Sequence, residues 1–342
     1  MDEPDLDNRS DFASASWPIV DREGKMARVV VIKASFSLDE PDGQLVLAQE
    51  PNPLRLGDEF WGKPEVPDVR LPADYGLEKV GTDFILSACA TPMQGRQVTY
   101  VDVGLRVADR SKVLRVHGPR QWRRGLLGVV PGPSALVTQG IPLSWSRAWG
   151  GQDMSDPSKP LEEARNPIGS GVIRDPARLI GLPAPQIEAP DEPIGEAGGK
   201  CLPQGFAALA PHFAPRRDTA GTYDQDWLDK VYPAKPADYK PEHENRAPVE
   251  FQFGQGLRGG EPVQIAGVHA TRHIEFVLPK WLVRVRALID GQVQDKRPQL
   301  DTVVVDAQRM QLEMVWRAIF TCPPRMRNRF TTIRVEAKEF VS

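Results

Sequence analysis

Ala27-Arg28-Val29-Val30-Val31-Ile32-Lys33-Ala34-Ser35-Phe36-Ser37-Leu38 is a run of β-branched residues that turns to strict alternation at its end. Asp42-Gly43 follows, and then Gln44-Leu45-Val46-Leu47-Ala48. An Asp-Gly pair between two such runs is a strong short-range hairpin signal, because both residues tolerate the positive φ that a tight turn needs. The same period of two returns over 82–90, 97–107 and 112–118, where Thr99, Asp102, Arg106 and Arg115 mark the wetter face. Short joints at 91–95 and 108–111 suit antiparallel neighbours, so residues 17–118 are expected to form an antiparallel meander of five or more strands.

Working outward, residues 1–16 read as a flexible acidic leader, and 49–78, with five prolines between Pro51 and Pro72, as a long irregular crossing. Regular pattern thins out from Gly125 to Gly205, leaving 135–138 and 141–143 as candidate short strands. Alternation resumes at 251–253, 263–268, 273–278 and 282–289, with Asp290-Gly291 closing a second hairpin, and continues at 301–306, 311–318 and 332–337. The expected fold is therefore mainly β: two joined antiparallel β regions, sandwich-like or barrel-like, bridged by long ordered Pro/Gly-rich loops with little helix. The expected divisions are 17–122, a loop-rich bridging or cradle region at 123–248, and 249–342. Thirty-three prolines and 29 glycines support short strands and long shaped connections, since both residues punctuate regular structure.

Composition narrows the function. Forty-three basic residues nearly cancel 46 acidic ones, which argues against binding driven by nucleic-acid phosphates. Arg120, Arg123 and Arg124 around Trp122 form the densest basic cluster, read as a solvated loop in preference to an anion site. Cys89, Cys201 and Cys322 lie far apart, without the paired spacing of a zinc site or a disulfide framework. Neither a signal peptide nor an apolar run of roughly 18 residues occurs, so a cytoplasmic protein without membrane insertion is expected.

Two segments combine aromatic rings with charge in loop-like surroundings. One is Ser144-Trp145-Ser146-Arg147-Ala148-Trp149-Gly150-Gly151; the other runs Arg216-Arg217-Asp218-Thr219-Ala220-Gly221-Thr222-Tyr223-Asp224-Gln225-Asp226-Trp227 and on to Tyr239. Asp224 is placed to cap a turn or two of helix, and Asp218 to pair with Arg216 or Arg217. A carbohydrate-active hydrolase using Asp218, Asp224 or Asp226 is the enzymatic alternative, because glycosidases work with two carboxylates in an aromatic cleft. His269 and His273 are spaced for one helix face, but their context is a turn entering a strand, so neither a metal nor any other cofactor is expected. No nucleophile elbow, phosphate loop or His-Glu-x-x-His occurs. Of the eight tryptophans, Trp281 and Trp316 follow strand alternation as core residues, whereas Trp149 and Trp227 are either loop anchors or partner contacts.

The order of these segments resembles domain-of-unknown-function family 2169, the type VI secretion effector adaptor/chaperone family. The likeness rests on Trp17-Pro18 with Val31-Ile32-Lys33-Ala34-Ser35-Phe36, on Arg147-Ala148-Trp149-Gly150-Gly151, and on Asn166-Pro167-Ile168-Gly169-Ser170-Gly171. It extends through Ala220-Gly221-Thr222-Tyr223-Asp224 with Trp227, Asn245-Arg246-Ala247-Pro248 and Val315-Trp316-Arg317, about residues 17–320 as one continuous domain. The chain departs from the family at Trp149, where Phe is usual. The resemblance implies a non-catalytic bacterial protein that grips a toxin effector and helps mount it on the VgrG/PAAR secretion spike. Arg147, Trp149, Arg217, Tyr223, Asp224, Trp227 and Tyr239 are the expected partner-binding residues.

Overall fold

The computed structural model describes residues 3–40, 44–63, 65–321 and 330–340. The opening run folds as the strand Met26–Ser37, buried along almost its whole length on both faces. Val30, Ile32, Ala34 and Phe36 point into the main core, while Ala27, Val29 and Val31 pack on the other face with Ile19, Leu77 and Val315. A strand covered on both sides has no reason to alternate in polarity, which is why its first half reads as an unbroken β-branched run.

This strand lies inside a seven-stranded sheet ordered Gln252–Phe253, Thr82–Ser87, Leu300–Asp306, Gln311–Thr321, Met26–Ser37, Ala13–Val20, with Val46–Leu47 also paired to Met26–Ser37. The first hairpin's arms pair as expected; its Asp42-Gly43 turn falls outside the described residues. The second hairpin is seen whole: Trp281–Ile289 pairs with Gln292–Lys296 across Asp290 and Gly291, both at positive φ. These two strands join Phe330–Glu339 and Asp5–Asn8 in a four-stranded sheet. A five-stranded sheet is ordered Ile187–Glu188, Arg110–His117, Tyr100–Val107, Pro262–Ala266, Ile274–Val277. Its inward residues, Val101, Val103, Leu105 and Val107 among them, meet those of the other two sheets in one shared core.

The chain is mainly β with little helix, and among the described residues no sheet closes into a barrel. The expected meander over 17–118 is not formed. Thr82–Ser87 lies in the seven-stranded sheet, parallel to Leu300–Asp306, while Tyr100–Val107 and Arg110–His117 belong to the five-stranded one. The 251–337 strands are likewise shared among all three sheets and do not make a separate layer. Asp5–Asn8, expected to be a loose leader, pairs in parallel with Phe330–Glu339. Of the two short strands expected near 140, Ile141–Pro142 pairs with Cys89–Ala90, and 135–138 is not a strand.

Further along Met26–Ser37 the outer face becomes charged. The fully buried Lys33 donates to Asp74 Oδ2 at 2.9 Å and to the Pro53 carbonyl at 2.6 Å, with Glu313 Oε1 at 3.6 Å. Arg55 completes the cluster against both Oε atoms of Glu313, at 3.0 and 2.5 Å. The Pro-rich crossing is thereby bolted to the sheet by ionic groups. Breaking such a buried cluster from one side strands the remaining charge. Lys33→Met, which keeps the volume, is expected to lower unfolding free energy by roughly 3 kcal/mol, read by chemical denaturation.

Candidate functional site

Between about 119 and 248 the backbone runs through short bridges and 3-10 turns, with few ladder partners. Buried side chains take their place. Asp68, on the crossing, accepts from the backbone N–H of Trp145 at 3.0 Å and of Ser146 at 3.2 Å. Asn166, fully buried, donates to the carbonyls of Trp145 and Trp149, each at 2.8 Å. Asp83 accepts from Asn245 Nδ2 at 2.9 Å and from the Arg246 backbone at 2.6 Å. Each clamp fixes a loop whose polar backbone would otherwise be buried unpaired.

These clamps set the 144–151 segment. Trp145–Arg147 is a single 3-10 turn, and Trp149–Gly150 pairs in parallel with Ser170–Gly171. Gly150 sits at φ 150°, and a side chain there would begin 2.2 Å from the Asn166 carbonyl oxygen, so glycine is required. A side chain on Gly171 would likewise start 2.3 Å from the Trp149 ring. Trp149 is 2% exposed and meets Trp122 edge to face at 6.4 Å. So little of it is exposed that it packs as an anchor of the loop. Arg147, by contrast, is exposed, bonds to Gln186 Oε1, and borders a surface cleft of about 620 Å³ with Arg120, Trp122, Arg123 and Pro183. Trp149 lines a second cleft of about 450 Å³ together with Glu162, Arg165 and Cys201.

The 216–239 segment is divided in its roles. Arg216 is buried, and its guanidinium donates to the carbonyls of Leu209 at 2.5 Å and His243 at 3.0 Å; burial lowers its pKa to about 10. Arg217 is exposed and pairs with Glu162 at 2.8 Å, with Asp218 more distant at 3.7 Å. Its partner Glu162 lines the second cleft. Asp224 caps the helix Gln225–Lys230 as expected, accepting from the Trp227 N–H at 2.8 Å. Asp226 pairs with Lys230 at 2.8 Å. All three carboxylates of the hydrolase alternative are thus engaged in local capping or ion pairs, and neither cleft is lined by them.

The aromatic residues do gather. Tyr223 meets Trp227 edge to face at 4.7 Å, and Trp227 meets Tyr232 at 5.7 Å. The Trp227 indole donates to the Ala234 carbonyl at 2.9 Å, and Lys235 lies 5.1 Å from the Tyr239 ring. Tyr239 donates to Glu244 at 2.9 Å; burial, and then that carboxylate, push its phenol upward. Tyr223 and Tyr232 remain 49% and 65% exposed, with Leu228 and Val231 beside them. The seven expected residues therefore fall apart: Tyr223, Asp224, Trp227 and Tyr239 on an aromatic platform, Trp149 at one cleft with Arg217 paired to its lining residue Glu162, and Arg147 at the other cleft. Among the described residues no cluster of His, Cys, Asp and Glu is arranged to hold a metal ion, and His269 and His273 lie in the turn before Ile274–Val277.

One buried cluster supports the first cleft. Glu188 takes His117 at 2.8 Å, Arg120 at 2.8 Å and the Ile194 N–H at 3.1 Å. Arg120, expected in a solvated loop, is consequently buried, whereas Arg123 and Arg124 are exposed as expected. Sequence reasoning also missed a pair of side chains just beyond Arg124. Leu126 and Leu127, at the tip of a hairpin, are 104% and 99% exposed. The signal available was two leucines between Gly125 and Gly128, a turn with an apolar centre.

A profile of the family described as "uncharacterized protein conserved in bacteria (DUF2169)" matches residues 23–317. The chain belongs to this family. Neither curated proteins nor solved structures give a match. The DUF2169 match takes in the whole clamp system, from Lys33 through Asp68, Asn166 and Asn245 to Glu313.

Two outcomes are expected. Asn166→Ala removes the side-chain donor from the carbonyls of Trp145 and Trp149, of which the first keeps the Ala148 N–H, and is expected to cost about 1–3 kcal/mol in denaturant unfolding. For Glu188, burial raises the carboxyl, but the bonds from His117 and Arg120 outweigh it and hold the pKa near 2, against 4.5 unperturbed. A folded value below the unfolded one gives stability that is present above pH about 4.5 and lost as pH falls towards 2. Glu188→Gln is expected to be less stable at neutral pH and to lose less melting temperature across that acid range.

Proposed function

We propose that this chain is a non-catalytic adaptor/chaperone that binds a toxin effector in the bacterial cytoplasm and promotes its loading onto the type VI secretion spike, VgrG with its PAAR cap. The observation that carries the reading is the rigid loop layer presenting large apolar side chains to solvent. Tyr223, Leu228, Val231 and Tyr232 stand exposed around a tethered Trp227. Aromatic side chains with a polar handle, held before the partner arrives, bind with little further loss of conformational freedom. The toxin client is what the resemblance implies, and the exposed platform supports a partner-binding role.

Where a toxin gene lies beside this one, co-expression of the two is expected to give a stable complex and to make toxin export depend on this chain. A toxin that is equally soluble and equally exported without it would sink the reading. Recovery of this chain with the exported spike would make it a spike component instead. Trp227 is half-buried and touches the platform alone, so Trp227→Ala is expected to keep a cooperative melt while toxin affinity falls roughly tenfold. Pull-down and thermal melting of the same preparation check this.

A further inference from the structure

Trp122–Arg124 and Val129–Pro131 form a two-stranded hairpin closed by a bond from the Gly125 N–H to the Gly128 carbonyl at 2.7 Å. Its base is rigid. Trp122 is buried against Trp149, its backbone is bonded on the other edge to Gly181 and Leu182, and Ala197 donates to the Val129 carbonyl. Its tip is Leu126-Leu127, both fully in water, at 104% and 99% exposure. Ile180 and Leu182, on the segment bonded to the base of the hairpin, are also exposed. Fixed, adjacent, exposed leucines are costly to leave in water and mark a surface that some other molecule covers.

The charges around the tip indicate which kind of molecule. Arg123 and Arg124 are exposed on the outgoing strand. Glu196 lies on the returning side, exposed, its carboxylate 2.8 Å from where a side chain on Gly128 would begin. An anionic bilayer would attract the first side and repel the second. A protein surface with an apolar socket edged by carboxylates opposite the arginines satisfies both.

We infer that the 122–131 hairpin is a docking finger that seats Leu126 and Leu127 in an apolar, carboxylate-edged socket on the effector. This rests on the adaptor reading and adds a second contact, separate from the aromatic platform. The probe is the co-expressed toxin, titrated against the full chain, against Leu126→Ser/Leu127→Ser and against Arg123→Glu/Arg124→Glu. Because neither leucine packs on anything, the leucine variant is expected to melt as the parent does while toxin affinity falls at least roughly thirtyfold. The arginine variant is expected to weaken binding more at low salt than at high. If the parent binds toxin and the leucine variant binds it equally, the finger is overturned and the adaptor reading stands. If the parent binds no toxin, both fall. Two controls would also overturn it: parent binding to phosphatidylserine/phosphatidylcholine vesicles, or a parent dimer in sedimentation, that the leucine change removes while toxin binding is untouched.

Discussion

A backbone N–H or C=O that leaves water must find a partner, and through some 130 residues of this chain sheets provide few of them. The ties that replace them form a sequence. Lys33 and Glu313, on neighbouring strands, hold Asp74 and Arg55 of the Pro-rich crossing. The same crossing carries Asp68, which receives the backbone of Trp145 and Ser146. Asn166 then takes the carbonyls on either side of Arg147. The position of Arg147, at the cleft, is therefore inherited step by step from the central sheet, although no strand of that sheet touches it.

The parts of this arrangement that were legible in the sequence are those whose cause is local. Period-two runs gave most strands, Asp290-Gly291 gave its hairpin, and Asp224 gave its helix cap, because each depends on residues within a few positions. Pairing between distant segments was not legible: nothing in 82–87 or 300–306 specifies that they lie parallel, since both are buried on two faces and carry no alternating stripe. Lys33 and Asp83 sit in strands where their charge argues against burial, and partners that include Asp74, 41 residues away, and Asn245, 162 residues away, account for it. The same reason separates Trp149 from Trp227. Both stand in aromatic, glycine-containing loops, yet one is sealed by Trp122 and Gly171 from other segments while the other meets only its own neighbours.

The charged outer face of the seven-stranded sheet has a cause other than strength, since apolar residues of similar volume would hold a covering loop at least as firmly. Arg317 shows what charge adds. Its guanidinium donates to the carbonyls of Leu77 and Asp74 at 2.9 and 2.7 Å and lies 2.8 Å from the Asp301 carboxylate as an ion pair. Lys79 joins Asp83 and Thr302, each at 2.7 Å. These bonds have direction and fixed length, so they admit one placement of the crossing, whereas an apolar face is indifferent to a slide of a few ångströms. Such a slide would matter little to the core and a great deal to the surface, because Asp68 would move with it and carry the 144–151 segment out of register. Buried ion pairs here contribute position more than stability, and position is what a surface built from loops needs if it is to meet a partner in one geometry.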